Sequence, residues 1–389
     1  MYKAKKMNEF GTSIFTELKI MKQEYTEKTG KDTIDFSIGS PNIPPVDSIV
    51  EEMVTQIQRP ANFKYAISEL PEMLTTVQKW YHNRYGVDLD TDQIICTSGS
   101  QEALSTICLA LCDPGDLVLV PDPCYPIFQD GPKIASCKVS YMPLKAENDF
   151  VLDLKDIDPE VAKQAKLLII SYPNNPTCAI APDSFYEELI DFAKQYDLMV
   201  IHDNAYSELV FDGKVGKSFL SFDGAMDVGI ELNSLSKTFG LAGARLGFVV
   251  GNKEMVSLYR KLKSNMDYGV FLPVQYAGIE ALDHCQEAIQ ATRQAYEDRR
   301  NALVKYFGQA GWTIPASAGT MFAWAPIPDV YADSNAFVKD LLKKTGIVVT
   351  PGQSFGAQGM RYVRLALVED INRIQEAGKR LAVSGIWGQ

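Results

Sequence analysis

Short apolar runs alternate with amphipathic helical patterns through the middle of the chain. Several of the runs are apolar on consecutive positions, as expected for strands that are covered on both faces. The seven runs are 93–99, 116–122, 138–144, 167–173, 198–204, 230–236 and 247–251. Helical patterns lie between them, for example over 101–112 and 183–196. The alternation predicts an α/β fold in which helices flank a mostly parallel sheet.

The last third of the chain has a different pattern. A long, charged helical stretch covers roughly 285–307. Two strand-like runs follow, 347–350 and 361–367, and they alternate with helices that begin near Ser334 and Asp370. This arrangement predicts a smaller α+β unit after the sheet.

The order of elements divides the 389 residues into two predicted domains. Residues 47–284 hold the sheet and form the large domain. Residues 1–46 are interpreted as a helix and an extended, proline-containing arm. We expect this arm to pack on residues 285–389, so that both segments together form the small domain.

Composition and charge narrow the class of protein. An apolar content of 46% predicts a sizeable core, and a net charge of −11 opposes nucleic acids and anionic membranes as partners. The N-terminus shows no signal-peptide pattern, and the apolar runs are far shorter than the ~18 residues of a membrane span. We therefore expect a cytoplasmic protein with small-molecule ligands.

The seven cysteines are scattered and form no C-x-x-C pair, and only three histidines accompany them. Such spacing is typical of buried free thiols in a reducing compartment rather than of disulfides or a metal site. No metal is expected.

A lysine among serines is the first candidate for chemistry. Lys237 follows a predicted strand, with Ser234 and Ser236 before it and Arg245 after it. Lysine forms Schiff bases with carbonyl cofactors. The hydroxyl groups and the guanidinium are suitable donors for a bound phosphate. From these residues alone, an ordinary surface lysine remains the alternative.

A second candidate lies where a strand leads into a helix, at Gly99, Ser100 and Gln101. The backbone N–H groups and the dipole at a helix start attract anions. An ordinary capped helix is the alternative. No dinucleotide-binding or Walker pattern occurs here, which disfavours nicotinamide dinucleotides and ATP.

Acidic and aromatic side chains follow other predicted strands. Asp203 can keep a pyridine nitrogen protonated, and Tyr206 can bond a ring oxygen, unless Asp203 merely caps a turn. His202 is expected on the opposite side of the strand, with a structural role. Tyr125, between prolines, either stacks on a flat heterocycle or packs in the core.

Two polar residues are candidates for binding a substrate. Asn175, in the turn YPNNPTC, is able to reach both a cofactor oxygen and a substrate carboxylate, although it is also explained as a plain turn residue. Arg364 faces inward on the strand-like run RYVRLAL, whereas Arg361 faces solvent. A buried guanidinium needs an anion, either a substrate carboxylate or an internal salt bridge.

In this order, the six segments resemble class I/II aminotransferases of the aspartate aminotransferase fold family. The resemblance implies fold type I of the enzymes that depend on pyridoxal 5′-phosphate (PLP). The resemblance extends from FSIGSPNIPP (36–45) to RYVRLAL (361–367). It rests on S-L-S-K-x-x-x-x-x-G-x-R, P-N-N-P-T and D-x-x-Y. HDNAYSELVFDG and TPGQSFG resemble the bacterial alanine (glutamate–pyruvate) and LL-diaminopimelate aminotransferase branch.

The resemblance implies a role for each candidate. Lys237, Asp203 and Tyr206 are the implied catalytic residues: Lys237 bonds PLP and moves the proton, and Asp203 pairs with the ring nitrogen. The remaining implied PLP ligands are Gly99, Ser100, Gln101, Tyr125, Asn175, Ser234, Ser236 and Arg245. Arg364 binds the substrate carboxylate beside Gly39 and Asn175. Tyr65 reaches the phosphate of a neighbouring subunit, which implies a homodimer.

The chain departs from the family pattern at Cys178 and at Leu70, where glycine is usual. The expected reaction is ping-pong transfer of an amino group from an L-amino acid, with alanine favoured, to a 2-oxo acid such as 2-oxoglutarate. LL-diaminopimelate, aspartate, methionine and aromatic substrates remain alternatives, as does a PLP-dependent carbon–sulfur β-lyase. A non-catalytic protein on the same scaffold is disfavoured by the intact Lys237 and by the acidic charge.

Overall fold

The computed structural model describes residues 4–10 and 15–387. The described α-helices are α1 (Phe15–Thr29), α2 (Asp47–Ile57), α3 (Pro71–Tyr85), α4 (Ser100–Thr106), α5 (Cys108–Leu111), α6 (Ile127–Ile134), α7 (Pro159–Ala162), α8 (Asp183–Tyr196), α9 (Ala225–Val228), α10 (Leu235–Thr238), α11 (Lys253–Lys263), α12 (Leu272–His284), α13 (Gln286–Gln309), α14 (Ser334–Thr345) and α15 (Ile371–Ala382). The strands are β1 (Ile34–Asp35), β2 (Ile94–Thr97), β3 (Leu117–Asp122), β4 (Lys138–Pro143), β5 (Ala165–Ile170), β6 (Met199–Asp203), β7 (Gly229–Ser234), β8 (Gly247–Gly251), β9 (Phe322–Pro326), β10 (Ile347–Val348), β11 (Thr350–Pro351) and β12 (Tyr362–Ala366).

The seven predicted strands form one sheet in the order β2-β8-β7-β6-β5-β3-β4. All neighbours are parallel except β8, which runs antiparallel to both β2 and β7. The predicted α/β class with a mostly parallel sheet is confirmed. Because β8 is antiparallel to both neighbours, β2 runs in the same direction as β7, and the carboxyl ends of six strands share one edge.

Helices cover both faces of this sheet, which explains why its strands are apolar on consecutive residues. One face packs against α4, α5, α6 and α11 through side chains such as Ile107 and Tyr259. The other face packs against α2, α3, α8 and α12 through side chains such as Val77 and Leu189. The sheet is therefore the middle layer of three, and polar groups of the strands are accessible mainly at the strand ends.

A third apolar cluster lies among the C-terminal elements. Here β11, β12 and β9 form an antiparallel sheet, with Arg364 of β12 opposite Trp324 of β9. The sequence predicts one strand over 347–350, but this run contributes to two: β10 pairs with β1, and β11 pairs with β12. Strand β9 is not among the predicted strands.

The N-terminal arm joins this C-terminal part by backbone pairing. Ile34 of β1 lies opposite Ile347 of β10, and the Phe36 N–H donates to the Val348 carbonyl at 2.8 Å. The boundaries expected for the two domains, 47–284 against 1–46 with 285–389, stay a prediction.

Two further observations concern the described residues alone. None of their helices is both long and apolar enough to cross a membrane. The cysteines are free thiols, and all of them except the half-buried Cys112 are buried.

Candidate active site

A cavity of about 810 Å³ lies at the carboxyl edge of the seven-stranded sheet. Open α/β sheets bind ligands at this edge, because loops diverge there and leave polar groups of the strand ends accessible. Twelve of the fourteen residues expected in the site line the cavity: Gly39, Ser100, Gln101, Tyr125, Asn175, Asp203, Tyr206, Ser234, Ser236, Lys237, Arg245 and Arg364. The other two are Gly99, which borders it, and Tyr65, which does not.

Lys237 is half-buried on the short helix α10, which begins directly after β7. Its Nζ lies 3.4 Å from the Gly39 carbonyl oxygen and faces the cavity. Burial lowers the pKa of Lys237 from 10.5 to about 8, and the positive charges of Arg364 and Arg245 contribute. Lys237 is therefore not an ordinary surface lysine, and a substantial fraction of its amine is neutral near pH 8.

Asp203 ends β6 and is buried. Its Oδ1 has no hydrogen-bond partner within the described chain. Burial raises the pKa of Asp203 to about 7, against the opposing charges of His202 and Lys237. A buried carboxylate oxygen without a donor is costly, so this atom is suited to a ligand that brings its own N–H group.

The start of α4, the junction between β7 and α10, and Arg245 form a cup of hydrogen-bond donors. The Ser234 hydroxyl donates to that of Ser236 at 2.9 Å, and Arg245 is held by the Ser98 and Ala242 carbonyl oxygens at 3.2 and 3.0 Å. Gly99 has φ +77°, and a Cβ there would lie 2.5 Å from the Arg245 guanidinium. The cup therefore requires glycine at this position, and it suits a phosphate group.

Arg364 is buried on β12 and points into the cavity. Its Nη1 donates to Asn175 Oδ1 at 3.0 Å, and its guanidinium lies over the rings of Phe322 and Phe355 at 4.2 and 4.7 Å. Its Nε has no partner, and no ion pair joins it to a carboxylate of the described residues. The alternative interpretation of this arginine, an internal salt bridge, is therefore not found among the described residues.

Three polar residues surround the space between Lys237 and Arg364. Asn175 and Tyr206 are buried, and burial holds the pKa of the Tyr206 hydroxyl well above its usual range. Tyr125 is half-buried, and its ring meets that of Phe128 edge-on, with centroids 6.2 Å apart. Burial also raises the pKa of Tyr125. Both phenols therefore remain neutral donors at physiological pH.

Tyr65 lies outside the cavity. Its side chain is 75% exposed, and its ring meets that of Tyr268 with centroids 5.0 Å apart. The role of Tyr65 at the phosphate of a neighbouring subunit stays a prediction.

The two departures from the family pattern have different surroundings. Cys178 has φ +63°, a conformation that glycine adopts without strain. Its Sγ donates to the Phe322 carbonyl oxygen at 3.2 Å and accepts from Thr320 Oγ1 at 3.3 Å. Leu70 precedes α3 and does not line the cavity; its N–H donates to Gln275 Oε1 at 2.9 Å.

The sequence analysis did not identify the two aromatic rings that pack against the Arg364 guanidinium, those of Phe322 and Phe355. Phe322 belongs to β9, and Phe355 follows β11. The run FAWAP alternates aromatic residues with alanine, a period-2 signal that could have identified the strand. Which aromatic rings pack against Arg364 also depends on the β9–β12 register, which the sequence alone does not provide.

The sheet, the half-buried lysine, the unpaired carboxylate oxygen and the cup of phosphate-type donors together define a PLP-binding enzyme of the aspartate aminotransferase-like fold. The family model for class I and II aminotransferases matches residues 31–381, and the chain belongs to this family. The curated relatives are aminotransferases, and this protein is a PLP-dependent aminotransferase.

Individual relatives agree with this assignment. An LL-diaminopimelate aminotransferase of Halothermothrix orenii is 43% identical over 362 residues, 92% of this chain and 93% of the relative. The glutamate-pyruvate aminotransferase AlaC of Escherichia coli is 39% identical over 369 residues, 94% of this chain and 89% of AlaC. The substrate-bound structure of BacF from Bacillus subtilis matches with a TM-score of 0.93 and 31% identity, covering 98% of this chain and 97% of BacF.

Proposed function

We propose that this aminotransferase exchanges amino groups between alanine and a 2-oxo acid such as 2-oxoglutarate. The observation that carries the proposal is the charge of the cavity wall. Its charged side chains are Asp203, Lys237, Arg245 and Arg364. The first three suit the cofactor, which leaves one guanidinium for one carboxylate. A donor with a small uncharged side chain therefore fits this chain's own wall best, whereas the second carboxylate of 2-oxoglutarate would need groups from outside this wall.

The residues of the cavity fit PLP. The unpaired Asp203 Oδ1 would accept from the ring N–H, and Tyr206 and Asn175 would bond the ring oxygen. Tyr125 would stack on the ring. The phosphate would lie in the donor cup formed by Gly99, Ser100, Gln101, Ser234, Ser236 and Arg245.

Bound PLP supplies an electron sink for the charge that develops at the substrate Cα. The protein residues position and move the other groups. Arg364 binds the α-carboxylate with Asn175 beside it, which orients the Cα–H bond toward the ring. Lys237, with its lowered pKa, takes the proton from Cα and returns it on the cofactor side.

LL-diaminopimelate is the second candidate donor, because the 43%-identical relative is named for it. This donor carries a second ammonium and a second carboxylate. The cavity wall of one chain offers no further charged side chain for them among the described residues, so recognition would need groups from outside this wall. The carbon–sulfur β-lyase alternative is not favoured, because the relatives compared are aminotransferases.

We also propose a homodimer in the cytoplasm. Exposed apolar side chains lie on α2 and in the segments around Tyr65, where Phe63 contacts Phe271 and Tyr65 contacts Tyr268. They comprise Val50, Val54, Ile57, Phe63, Tyr65, Ile67, Met266, Tyr268 and Phe271, each at least 40% exposed. Exposed apolar side chains grouped in a patch typically mark a protein–protein contact. Tyr65 would then complete the phosphate site of a second copy.

Mixing the PLP-loaded enzyme with single L-amino acids, without any 2-oxo acid, tests the proposed donor. Alanine is expected to remove the visible absorbance and release about one pyruvate per site, because one half-reaction stops without an acceptor. Pyruvate would then be released continuously after 2-oxoglutarate is added. LL-diaminopimelate, aspartate, methionine and phenylalanine are the comparison donors.

Two outcomes would contradict the alanine proposal. A response to LL-diaminopimelate at concentrations at which alanine is inert would establish the second candidate. Continuous release of ammonia and pyruvate from cystathionine, with the visible absorbance retained, would establish the lyase. The Lys237→Ala variant is the control for non-enzymatic reaction with free PLP.

The lowered pKa of Lys237 gives a prediction for cofactor uptake. Only the neutral amine attacks an aldehyde, so covalent attachment of PLP to the apoprotein should accelerate up to about pH 8 and then level off. With the usual lysine pKa of 10.5, the rate would still be rising well above that pH. Borohydride trapping followed by mass spectrometry measures the attached fraction with time.

A matched pair of variants tests the cause of this shift. Arg364→Met removes a positive charge that lowers the pKa of Lys237, so its profile should move to higher pH. Arg361→Met removes a charge that lies outside the cavity and is paired with Asp329, and it should leave the profile unchanged. Identical profiles for the two variants would contradict the electrostatic explanation.

A further inference from the structure

A fully buried acid–base pair lies directly behind Asp203. His202 precedes it on β6, and Glu231 occupies the position opposite His202 on β7. Neither side chain is exposed to solvent, and His202 Nδ1 lies 3.0 Å from Glu231 Oε2. Successive strand residues point to opposite faces, so the pair lies on the far side of the sheet from the cavity.

Glu231 has the surroundings of an ionised carboxylate. Its Oε1 accepts from the Tyr81 hydroxyl at 2.9 Å. Its Oε2 accepts from the Ser218 hydroxyl and the Phe219 N–H, each at 2.9 Å, as well as facing His202 Nδ1. Four donors around one buried carboxyl group stabilise its negative charge. A buried charge of this kind requires a compensating positive charge nearby.

The second ring nitrogen of His202 also faces an acceptor. Nε2 lies 3.0 Å from the Tyr172 carbonyl oxygen, and the Tyr172 N–H is also directed at Nε2, over the longer distance of 3.4 Å. A neutral imidazole donates from only one nitrogen, whereas the imidazolium donates from both. The shorter contact at Nε2 and the carboxylate at Nδ1 are together matched by the imidazolium.

We propose that His202 is a buried imidazolium which balances the charge of Glu231 and thereby keeps Asp203 ionised for the cofactor ring nitrogen. The proposal assigns His202 as a positioning residue, and it rests on the proposed function of Asp203. Without the imidazolium, the negative charge of Glu231 would favour protonation of Asp203. The charge of His202 lowers the pKa of Asp203, and the charge of Glu231 raises it. Both effects agree with the proposed role of His202.

The other titratable groups around the pair are phenols and do not supply the missing positive charge. Tyr81 and Tyr85 face it from α3, Tyr172 from the loop after β5, and Tyr186 from α8. Burial raises the pKa of each of them, so all four stay neutral. Lys237 acts on Asp203 from the cavity side of the sheet.

Nitrogen-15 NMR of the histidine rings tests the charge directly in the apoprotein. The chain contains three histidines, His82, His202 and His284, so ring labelling gives few signals, and His202→Gln assigns the relevant one. Two protonated ring nitrogens are expected on His202. A single protonated nitrogen at neutral pH would overturn the proposal.

The ionisation of Asp203 tests the consequence. In apoprotein labelled with carbon-13 at the aspartate carboxyl groups, with Asp203→Asn for assignment, His202→Gln should increase the proton affinity of Asp203 at least about tenfold. The double variant His202→Gln/Glu231→Gln removes both charges and should restore it. In the double variant, the amide introduced by Glu231→Gln still offers an oxygen to the Ser218 and Phe219 donors, and its nitrogen donates to the Tyr81 oxygen.

A purely structural role for His202 predicts no such rescue, since the double variant disturbs the core more than the single one. Equal Asp203 titration in wild type and His202→Gln would also contradict the proposal. The exposed His82→Gln is the control. The two proposals fail independently. If Asp203→Asn leaves PLP affinity unchanged, the proposed function of Asp203 is wrong. The charge pair is still supported if His202→Gln raises the proton affinity of Asp203 and the double variant restores it.

Discussion

Replacing Lys237 by alanine is expected to lower kcat by at least about 10⁴-fold, with the fold and the phosphate cup retained. General acid–base groups typically contribute about 10²–10⁴-fold, and in the proposed mechanism Lys237 also provides the covalent attachment of PLP. The loss should therefore exceed that of any other single substitution in the cavity. Initial rates with saturating alanine and 2-oxoglutarate, after reconstitution with excess PLP, measure it.

The matched control is Lys263→Ala, a lysine buried on α11 whose ammonium is paired with Glu102 and Asp267 outside the cavity. It should change stability rather than chemistry. Circular dichroism and PLP fluorescence show whether each variant is folded and binds the cofactor. A folded, PLP-containing Lys237→Ala protein with more than about a hundredth of the wild-type kcat would contradict the role of Lys237 as the base.

The sheet could be predicted from sequence because its strands are buried on both faces. A short run of consecutive apolar residues that ends in turn residues, such as LLII before the turn with Asn175, favours a strand over a helix. All seven predicted strands were found in one sheet, with Asp203 and Ser234 at strand ends. Since parallel strands end at a common edge, the clustering of the candidate residues followed from the strand positions.

Other features depend on distant pairing that a local pattern does not encode. Phe322 lies under Arg364 because β9 pairs with β12 in a particular register. The short strands β10 and β11 look like one run in the sequence, since two residues per strand are too few to show a period. The charge balance around His202 required the β6–β7 register, which places Glu231 opposite it.

The cavity wall carries more positive than negative side chains, and its proposed ligands explain the excess. Lys237, Arg245 and Arg364 face Asp203 alone, while a phosphate and a carboxylate are both to be bound. The repulsion among these cations helps burial to lower the pKa of Lys237, which supplies a neutral amine near physiological pH. Anion binding and base strength are therefore coupled through the same three side chains.

Replacing Arg364 by lysine is expected to lower kcat/KM about 100-fold or more for the amino acid and the 2-oxo acid alike, mainly through KM. In the proposed function both substrates present a carboxylate to the same guanidinium, and a lysine keeps the charge but loses the planar fork. Truncating a buried, hydrogen-bonded charge pair typically costs about 2–5 kcal/mol, which brackets that factor.

The arrangement around Arg364 explains why the loss should fall on binding and on both half-reactions. The guanidinium is held in one plane by Asn175 Oδ1 and by the rings of Phe322 and Phe355. Substrate binding therefore costs little additional side-chain entropy at Arg364. Arg361→Lys, on the same strand run but bonded to the Pro328 and Tyr331 carbonyl oxygens, is the control and should leave kcat/KM unchanged. A selective effect on one substrate would place its carboxylate elsewhere, and an unchanged KM for both would remove Arg364 from the substrate site.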